Sequence, residues 1–457
     1  MSICKARCIV VVVPSGIWLY VVNVRVALLW AGSAGNAWRR NMHWPGNDMR
    51  TIFLLDIDCF FASVEMALHP ELQGKPLCVG GHRGERGIVA CPNYEARAYG
   101  VKTAMPLRTA DKLLPPEAVF VPGHHKLYGE YSERVMNILY DFTPDIEQVS
   151  IDEAYMDVTG CLHFWEHDPL RMAKAMQERI WNDCSLSVSI GIASNKVCAK
   201  VAAGLRKPKG IVHVPHGWEK DFLAPLPIEM IPGIGIKTTL KLHALGIFTV
   251  TDVLDLKSEI RNPTSSMRWL SHYLPTIASG RDEHVMHYDR VEKSMSRDTT
   301  FWHDTNDREF IESTLYYLAE RCCKTLRERK QMAATVTAKV RFTDFTTVQK
   351  QTTLSLPTAN EEDIFGAAQK LLNILLPVRR MIRLVGVKVS HLVDTATMQM
   401  QLDVTQSEKR SRLHARLDGL QEKFGYTTVQ WGIAYKLHER YQSSEEGYRL
   451  HSPVYEL

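Results

Sequence analysis

The sequence predicts an α+β fold: a ferredoxin-like sandwich, then a small helical region, then a separate second α+β unit. Three patterns carry this expectation. Between residues 51 and 193 the apolar periodicities run strand, helix, strand, strand, helix, strand, which is the ferredoxin-like order with helices on one face of a sheet. After Pro225 and Pro227 the pattern changes to short helical stretches and glycine turns, up to about Gly280. Beyond a polar, linker-like stretch at 281–294, alternating strand patterns return from Met295.

Each element follows from its local pattern. Thr51 to Ile57 is an apolar run ending on carboxylates at Asp56 and Asp58, as in a buried strand. Helical spacing runs from Cys59 to Leu68 and stops at Pro70. Gly80, Gly81, Gly84 and Gly87 mark a loop or hairpin before a strand at Ile88-Val89-Ala90. Tyr131 to Tyr140 is an amphipathic helix. Glu147 to Val158 reads as two strands around a tight turn that carries Asp152 and Glu153. A helix at Arg171–Asn182 and an alternating strand at Leu186–Ala193 complete the sandwich. In the second unit Val336, Ala338, Val340 and Phe342 fall on one strand face, and Thr335, Thr337, Lys339 and Arg341 on the other. Thr346 to Leu356 pairs with that strand, and Arg383 to Leu392 supplies another. A helix from Ile364 to Leu376 turns Leu371, Leu372 and Leu375 to the core. A polar tail begins near Asp394.

Composition sets bounds on function. A chain of 457 residues divides into several domains, and 45% hydrophobic with 23% charged residues is the balance of a folded, soluble protein. The net charge of +4 says little about partners. Its cations are clustered, however, at Arg321 to Lys330 and at Arg379-Arg380-Met381-Ile382-Arg383. Such clusters fit a polyanion-binding surface or solvated helix faces equally well. The ten cysteines show neither a C-x-x-C pair nor zinc-type spacing, which reads as a reduced, intracellular, cytoplasmic chain. His124, His125 and His213 form no metal-like set.

The first 48 residues stand apart. The apolar stretch Ile9 to Trp30, behind Lys5 and Arg7, has the look of a membrane anchor or signal peptide. Pro14, Ser15 and Gly16 interrupt it, Asn23 and Arg25 break its second half, and no clear cleavage site follows. The first core strand begins directly after Met49. Residues 1–48 are therefore expected to be a non-functional extension, with no membrane association.

The carboxylates suggest chemistry. Phosphoryl transfer concentrates negative charge at one centre, and a pair of metal ions about 3.5–4 Å apart neutralises it. Magnesium takes oxygen ligands, few of them from protein. Asp56 at a strand end and Asp152-Glu153 at a neighbouring hairpin turn suit that requirement. An acidic turn beside an exposed aspartate accounts for the same residues, so this spacing alone leaves both open.

Longer motifs decide between them. Asp56-Ile57-Asp58-Cys59-Phe60-Phe61-Ala62-Ser63-Val64-Glu65 resembles the opening motif of the Y-family DNA polymerases. Asn93-Tyr94-Glu95-Ala96-Arg97, Ser150-Ile151-Asp152-Glu153-Ala154-Tyr155 and Gly191-Ile192-Ala193-Ser194-Asn195-Lys196 continue the series. So do Ala202 to Gly210, with Lys207-Pro208, and Ile231-Pro232-Gly233-Ile234-Gly235. The resemblance covers about residues 49–393 and is nearest the bacterial DinB subgroup.

The resemblance implies a right-hand polymerase. Residues 49–59 and 122–215 would form the palm, 60–121 the fingers, 216–280 a helical thumb with a helix-hairpin-helix, and 295–393 a little finger. Such a protein copies damaged templates, joins dNTPs to a primer on template DNA, and lacks proofreading. Asp56, Asp152 and Glu153 would hold two Mg2+ ions with the Ile57 carbonyl; Tyr94, Arg97 and Lys207 would hold the triphosphate. Phe61 would be the steric gate against ribonucleotides. Cys59 and Cys91 stand where relatives often place hydroxyls on the phosphates, and a thiol is the weaker donor. Gly233 and Gly235 would bring backbone N–H groups to a DNA phosphate, and Lys339 and Arg341 would meet the backbone from the little finger. Within 394–457, Gln401-Leu402-Asp403-Val404 resembles a sliding-clamp peptide, with Val404 and Thr405 where larger residues are usual. A monomer is expected. A polymerase-like adaptor would need no acidic triad, and a nucleotide cyclase would have no use for the helix-hairpin-helix.

Overall fold

The computed structural model describes residues 49–255, 270–287, 292–376, 380–395 and 405–453 except 445–446. It also describes three short strands, Val10–Val12, Ile17–Val22 and Arg25–Trp30, paired antiparallel. The rest of the expected extension at 1–48, and the peptide Gln401 to Val404, lie outside the described residues. No described helix is long and apolar enough to cross a membrane. The chain divides into two compact units, Met1–Asp289 and Arg290–Leu457, with the boundary inside the polar stretch 281–294.

In chain order the first unit contains β1 (Ile52–Ile57), α1 (Phe60–Leu68), β2 (Leu77–Val79), β3 (Cys91–Pro92), α2 (Tyr94–Ala98), α3 (Leu107–Leu113), β4 (Val119–Val121) and α4 (His125–Tyr140). It continues with β5 (Ile146–Gln148), β6 (Glu153–Asp157), α5 (Pro169–Cys184), β7 (Val188–Ala193), α6 (Lys196–Leu205) and β8 (Ile211–His213). The short helices α7 (Glu219–Leu223), α8 (Ile236–Ala244), α9 (Val250–Asp255) and α10 (Leu270–Ala278) follow.

The main sheet runs β8-β7-β1-β6-β5. Its last four strands are mutually antiparallel in the ferredoxin-like order fourth, first, third, second, and β8 is added parallel to β7 across α6. Alternation along β1 explains its unbroken apolar run. Phe53, Leu55 and Ile57 pack against α4 and α5, while Ile52 and Leu54 pack on the opposite face with α6. Both faces are thus covered, which corrects the expectation of helices on one face only. Gly191 permits it, because a Cβ there would lie 1.9 Å from the Ala199 carbonyl oxygen of α6.

The small sheet β3-β2-β4 carries its own core of Cys78, Val89, Ala96, Leu107 and Phe120. The expected strand at Ile88-Val89-Ala90 does not form. Val89 exchanges backbone hydrogen bonds with Ala104 and Met105, whereas Ala90 donates to Val79, so the segment crosses between partners instead of following one. The strand lies just beyond it, at Cys91–Pro92.

The second unit contains β9 (Ser294–Thr305), α11 (Arg308–Glu328), β10 (Gln331–Phe342), β11 (Thr347–Thr358), α12 (Glu361–Leu375) and β12 (Ile382–Asp394). These form an antiparallel sheet in the order β9-β12-β10-β11, with α11 and α12 on the face that buries Val336, Val340 and Phe342. The segment expected to be a polar tail is folded: α13 (Thr405–Phe424), α14 (Tyr435–Arg440), β13 (Tyr441–Ser444) and β14 (Gly447–Pro453). Tyr426, Ala434, Leu437, Tyr441 and Tyr448 enter the same core as α11.

The two cation clusters are spent largely within this unit. Arg327 forms a bidentate pair with Asp418 of α13 at 2.6 and 2.7 Å, and also donates to Glu361 at 3.0 Å. The Arg321 and Lys324 cations lie 4.5 and 5.1 Å from the Tyr426 ring centroid. Arg380 pairs with Asp344 at 2.7 Å and stacks on Phe342, and Arg383 stacks on Phe345. Arg380 keeps 44% of its side chain exposed beside Asp344; for Arg327, largely buried, these contacts replace the solvated face left open by the sequence. Composition could not reveal it, because the partners lie in a segment whose own pattern looks polar.

Two predictions follow from this packing. Leu437→Ala is expected to destabilise the second unit by about 2–4 kcal/mol, the cost of a cavity in a closed core; chemical denaturation followed by intrinsic fluorescence measures it, and a solvated tail would show no change. Glu320 of α11 is buried, and that burial, aided by Glu361, pushes its carboxyl from 4.5 up to about 7. A raised acid stabilises below its unfolded value and loses that contribution as pH rises through the folded value. Thermal melts should therefore show wild type losing stability relative to Glu320→Gln between pH 5 and pH 8.

Candidate active site

Pairing of β1 with β6 sets the site. Asp56 and Glu153 are direct cross-strand partners, and Ser189 of β7 faces Asp56 from the other side. Alternation puts Asp56 on the face of Ile52 and Leu54, and Glu153 on the face of Tyr155, both looking toward α6. Asp152 sits in the turn before β6, where its carbonyl accepts from the Ile57 N–H at 2.9 Å and its carboxylate accepts from Ser150 Oγ at 2.5 Å.

Cations meet these acids. Lys207 is ion-paired with Asp56, and Lys200 of α6 donates to both Glu153 oxygens at 2.5 and 2.8 Å. Burial raises the Asp56 pKa; Lys207 opposes that, and the charges of Asp152 and Glu153 add to it. Three carboxylates that repel one another where β1 ends and β6 begins have the donor chemistry of a hard divalent cation. Among the described residues, however, no three His, Cys, Asp or Glu side chains converge into a coordination set. Lysines occupy the acids instead. Lys200 was not singled out from the sequence, although its position one helical turn after Lys196 on α6 puts both on one face.

Asp58 anchors the surroundings. Fully buried, it accepts from Ser189 Oγ at 2.8 Å, from the Lys209 N–H at 2.8 Å and from the Tyr94 hydroxyl at 3.3 Å. It therefore ties β1 to β7, to α2 and to the loop that carries Lys207. The sequence marks Asp58 only as a second acid two residues from the first.

The expected triphosphate residues stand beside this anchor. Asn93 caps α2 by accepting from the Ala96 N–H, accepts from the Leu77 N–H and donates to the Lys75 carbonyl, which fixes the helix on β2. On that helix Arg97 is exposed, stacks 5.1 Å from the Tyr94 ring centroid, and donates through Nε to the Pro92 carbonyl. Cys59, in left-handed backbone at φ 37°, and Cys91 are both buried. Burial pushes the Cys59 thiol up to about 12 and also raises that of Cys91, so both stay protonated.

Phe61 lies on the first turn of α1, stacked on Tyr128 of α4 with ring centroids 4.4 Å apart. In the helix-hairpin-helix, Gly233 has φ 89° and Gly235 opens α8 with no side-chain cap, leaving Gly233, Gly235, Lys237 and Lys241 exposed. In the second unit Lys339 and Arg341 share a strand face, but Thr335 and Thr337 on that face are buried, against expectation. The Thr335 hydroxyl is bonded to His391, and Lys339 pairs with Asp298 across Gly386, the residue in register with both. Arg341 donates to Thr347 Oγ1.

Residues 55–204 match the model of the impB/mucB/samB family, and residues 292–402 that of its C-terminal domain. DNA polymerase IV of Dehalococcoides mccartyi is 42% identical over 85% of this chain and 98% of its own length. DNA polymerase IV of Desulfatibacillum aliphaticivorans is 36% identical over 83% and 95%. Among solved structures, the Y-family DNA polymerase chimera Dbh-Dpo4(243-245)-Dbh aligns with a TM-score of 0.68 at 29% identity, covering 75% of this chain and 99% of that one. The insertion ternary complex of Dbh DNA polymerase aligns over the same shares, with a TM-score of 0.52 at 29% identity.

Asp58→Ala strands three donors, of which the Ser189 hydroxyl is fully buried. It is expected to cost about 3 kcal/mol of stability, read as a lowered urea midpoint, whereas a solvated acid would give almost no shift.

Proposed function

The chain belongs to the impB/mucB/samB family of DinB-type, Y-family DNA polymerases, and from that premise we propose that it is a translesion polymerase, extending primers across damaged templates. It is a DNA-directed DNA polymerase. The observation that best supports nucleotidyl transfer at this site is the in-register placement of Asp56 and Glu153 beside Asp152, with two lysines on the same acids; the translesion role rests on the family.

In this reading the primer 3′-oxygen attacks the α-phosphorus of a dNTP, the bond to the bridging oxygen breaks, and pyrophosphate leaves. Asp56, Asp152 and Glu153, with the Ile57 carbonyl, would hold two Mg2+ ions, which when bound would supply Lewis-acid neutralisation of that charge. The protein side chains position the reactants. Lys207, released from Asp56, turns to the triphosphate as a point charge, while Arg97 can grip a phosphate through its remaining N–H groups. Tyr94 is held by Asp58 at the same place. Phe61 offers a rigid ring beneath the sugar that leaves no room for a 2′-hydroxyl. Gly233 and Gly235, with the α8 N-terminus, grip DNA without reading sequence, and Lys339 and Arg341 add backbone contacts. The chain acts as a monomer and carries no proofreading activity.

Primer extension on undamaged and lesion-bearing templates tests the proposal. Asp152→Ala is expected to abolish incorporation with DNA affinity nearly intact, because affinity rests mainly on phosphate contacts. Near wild-type extension by that variant would remove the assignment, and failure on every lesion template would remove the translesion role alone.

A further inference from the structure

The first helix after the acidic strand carries a buried acid that the chemistry above leaves unused. Glu65 of α1 is 2% exposed and lies one turn beyond Phe61, on the same helix face. Tyr128, fully buried on the first turn of α4, spans both residues. Its ring lies flat on Phe61, 4.4 Å between centroids and 15° between planes, and its hydroxyl donates to Glu65 Oε1 at 2.5 Å. His124 Nδ1 stands 2.8 Å from the same oxygen, and the His125 ring meets Phe61 edge-on at 5.6 Å.

Packing alone does not call for this arrangement. Tyr128 belongs to the large apolar core against which Phe61 packs, and an aliphatic residue in place of Glu65 would avoid the desolvation cost of a carboxylate. What the carboxylate adds is direction. Stacking leaves a ring free to slide in its plane, whereas a short hydrogen bond from its far end fixes where the ring stops. Tyr128 is thereby held at two points, and Phe61 rests on a support that cannot recede.

We propose that Glu65 is a positioning residue for sugar selection, fixing Tyr128 as the support that keeps the Phe61 ring beneath the nucleotide sugar. This rests on the reading of Phe61 as the sugar-excluding ring. A specificity that depends on excluding one oxygen is sensitive to small displacements of the excluding surface. Loosening the support should therefore admit ribonucleotides while costing deoxynucleotides little.

Single-nucleotide insertion on primer-template DNA with Mg2+, comparing kcat/KM for a dNTP and its ribonucleotide, tests this. Tyr128→Phe keeps the ring and removes only the bond to Glu65; it is expected to relax discrimination by about tenfold, mainly through a lower ribonucleotide KM. Glu65→Leu should do the same, and Glu65→Gln, whose amide oxygen still accepts from the phenol, should restore most of the discrimination. Adding Phe61→Ala to Tyr128→Phe should relax it no further than Phe61→Ala alone. If Phe61→Ala leaves the ratio unchanged, the gate itself is elsewhere. If Phe61→Ala relaxes the ratio but Tyr128→Phe does not, the gate stands and the role given to Glu65 is wrong. Equal losses for both sugars in Tyr128→Phe would likewise reduce the network to packing. Should Glu65→Leu fail to fold, the nearly isosteric Tyr128→Phe decides alone.

Discussion

The register between β1 and β6 is the constraint on which the site depends. Side chains on a strand alternate with a period of two, so a slip of one residue would send Asp56 into the core of α4 and α5 and turn Leu55 toward the lysines. Burial of both faces forbids that slip: Phe53, Leu55 and Ile57 are committed to one core, and Ile52 and Leu54 to the other. The acids are thus placed by hydrophobic packing several residues away, and their mutual repulsion is imposed on them by the fold. Lys207 and Lys200 relieve it.

Asp58 shows a second use of the same alternation. It lies on the Asp56 face, yet at the strand end it turns inward to three donors. Asp56 is paired with Lys207, whereas Asp58 is spent on holding β7, α2 and the Lys207 loop at fixed distances. Asp58 thereby fixes the spacing of three elements around the acidic strand end. Glu65 serves in the same way on the far side of α1. Two buried carboxylates, Asp58 and Glu65, therefore fix the segment from Asp56 to Glu65, one tying it to the sheet and the other to α4.

Much of this was legible in the sequence, for physical reasons. Apolar periodicity located most sandwich strands and helices within about three residues, but the helix expected at Tyr131–Tyr140 begins at His125, so its first six residues were missed. The motif around Asp56 and the turn at Asp152-Glu153 marked the acidic edge. Lys200, Tyr128 and the roles of Asp58 and Glu65 escaped because each depends on a partner distant in sequence, Glu65 on Tyr128 and Asp58 on Ser189 and Lys209. Ile88-Val89-Ala90 misled for a related reason: its composition is that of a strand, but its hydrogen bonds divide between two neighbours. Thr335 and Thr337 looked open because alternation gives a face and not its neighbours.

The C-terminal segment carries the same lesson to charge. Read locally, α13 looks polar and the end of α11 looks like a cation stripe seeking an external anion. Together they cancel: Arg327 takes Asp418 and Glu361, Arg321 and Lys324 lie on the Tyr426 ring, and the Tyr317 hydroxyl accepts from the Tyr448 N–H beside Gly447. A Cβ at Gly447 would lie 2.2 Å from that hydroxyl, so the hairpin closes on Tyr317 as tightly as its backbone allows. The matched family regions end at residue 402, before α13 begins. The packing nevertheless makes the later residues part of the second unit's core. The charge of Arg327 is thus met inside the unit, whereas Arg341, on the opposite sheet face, donates to the neutral Thr347 hydroxyl.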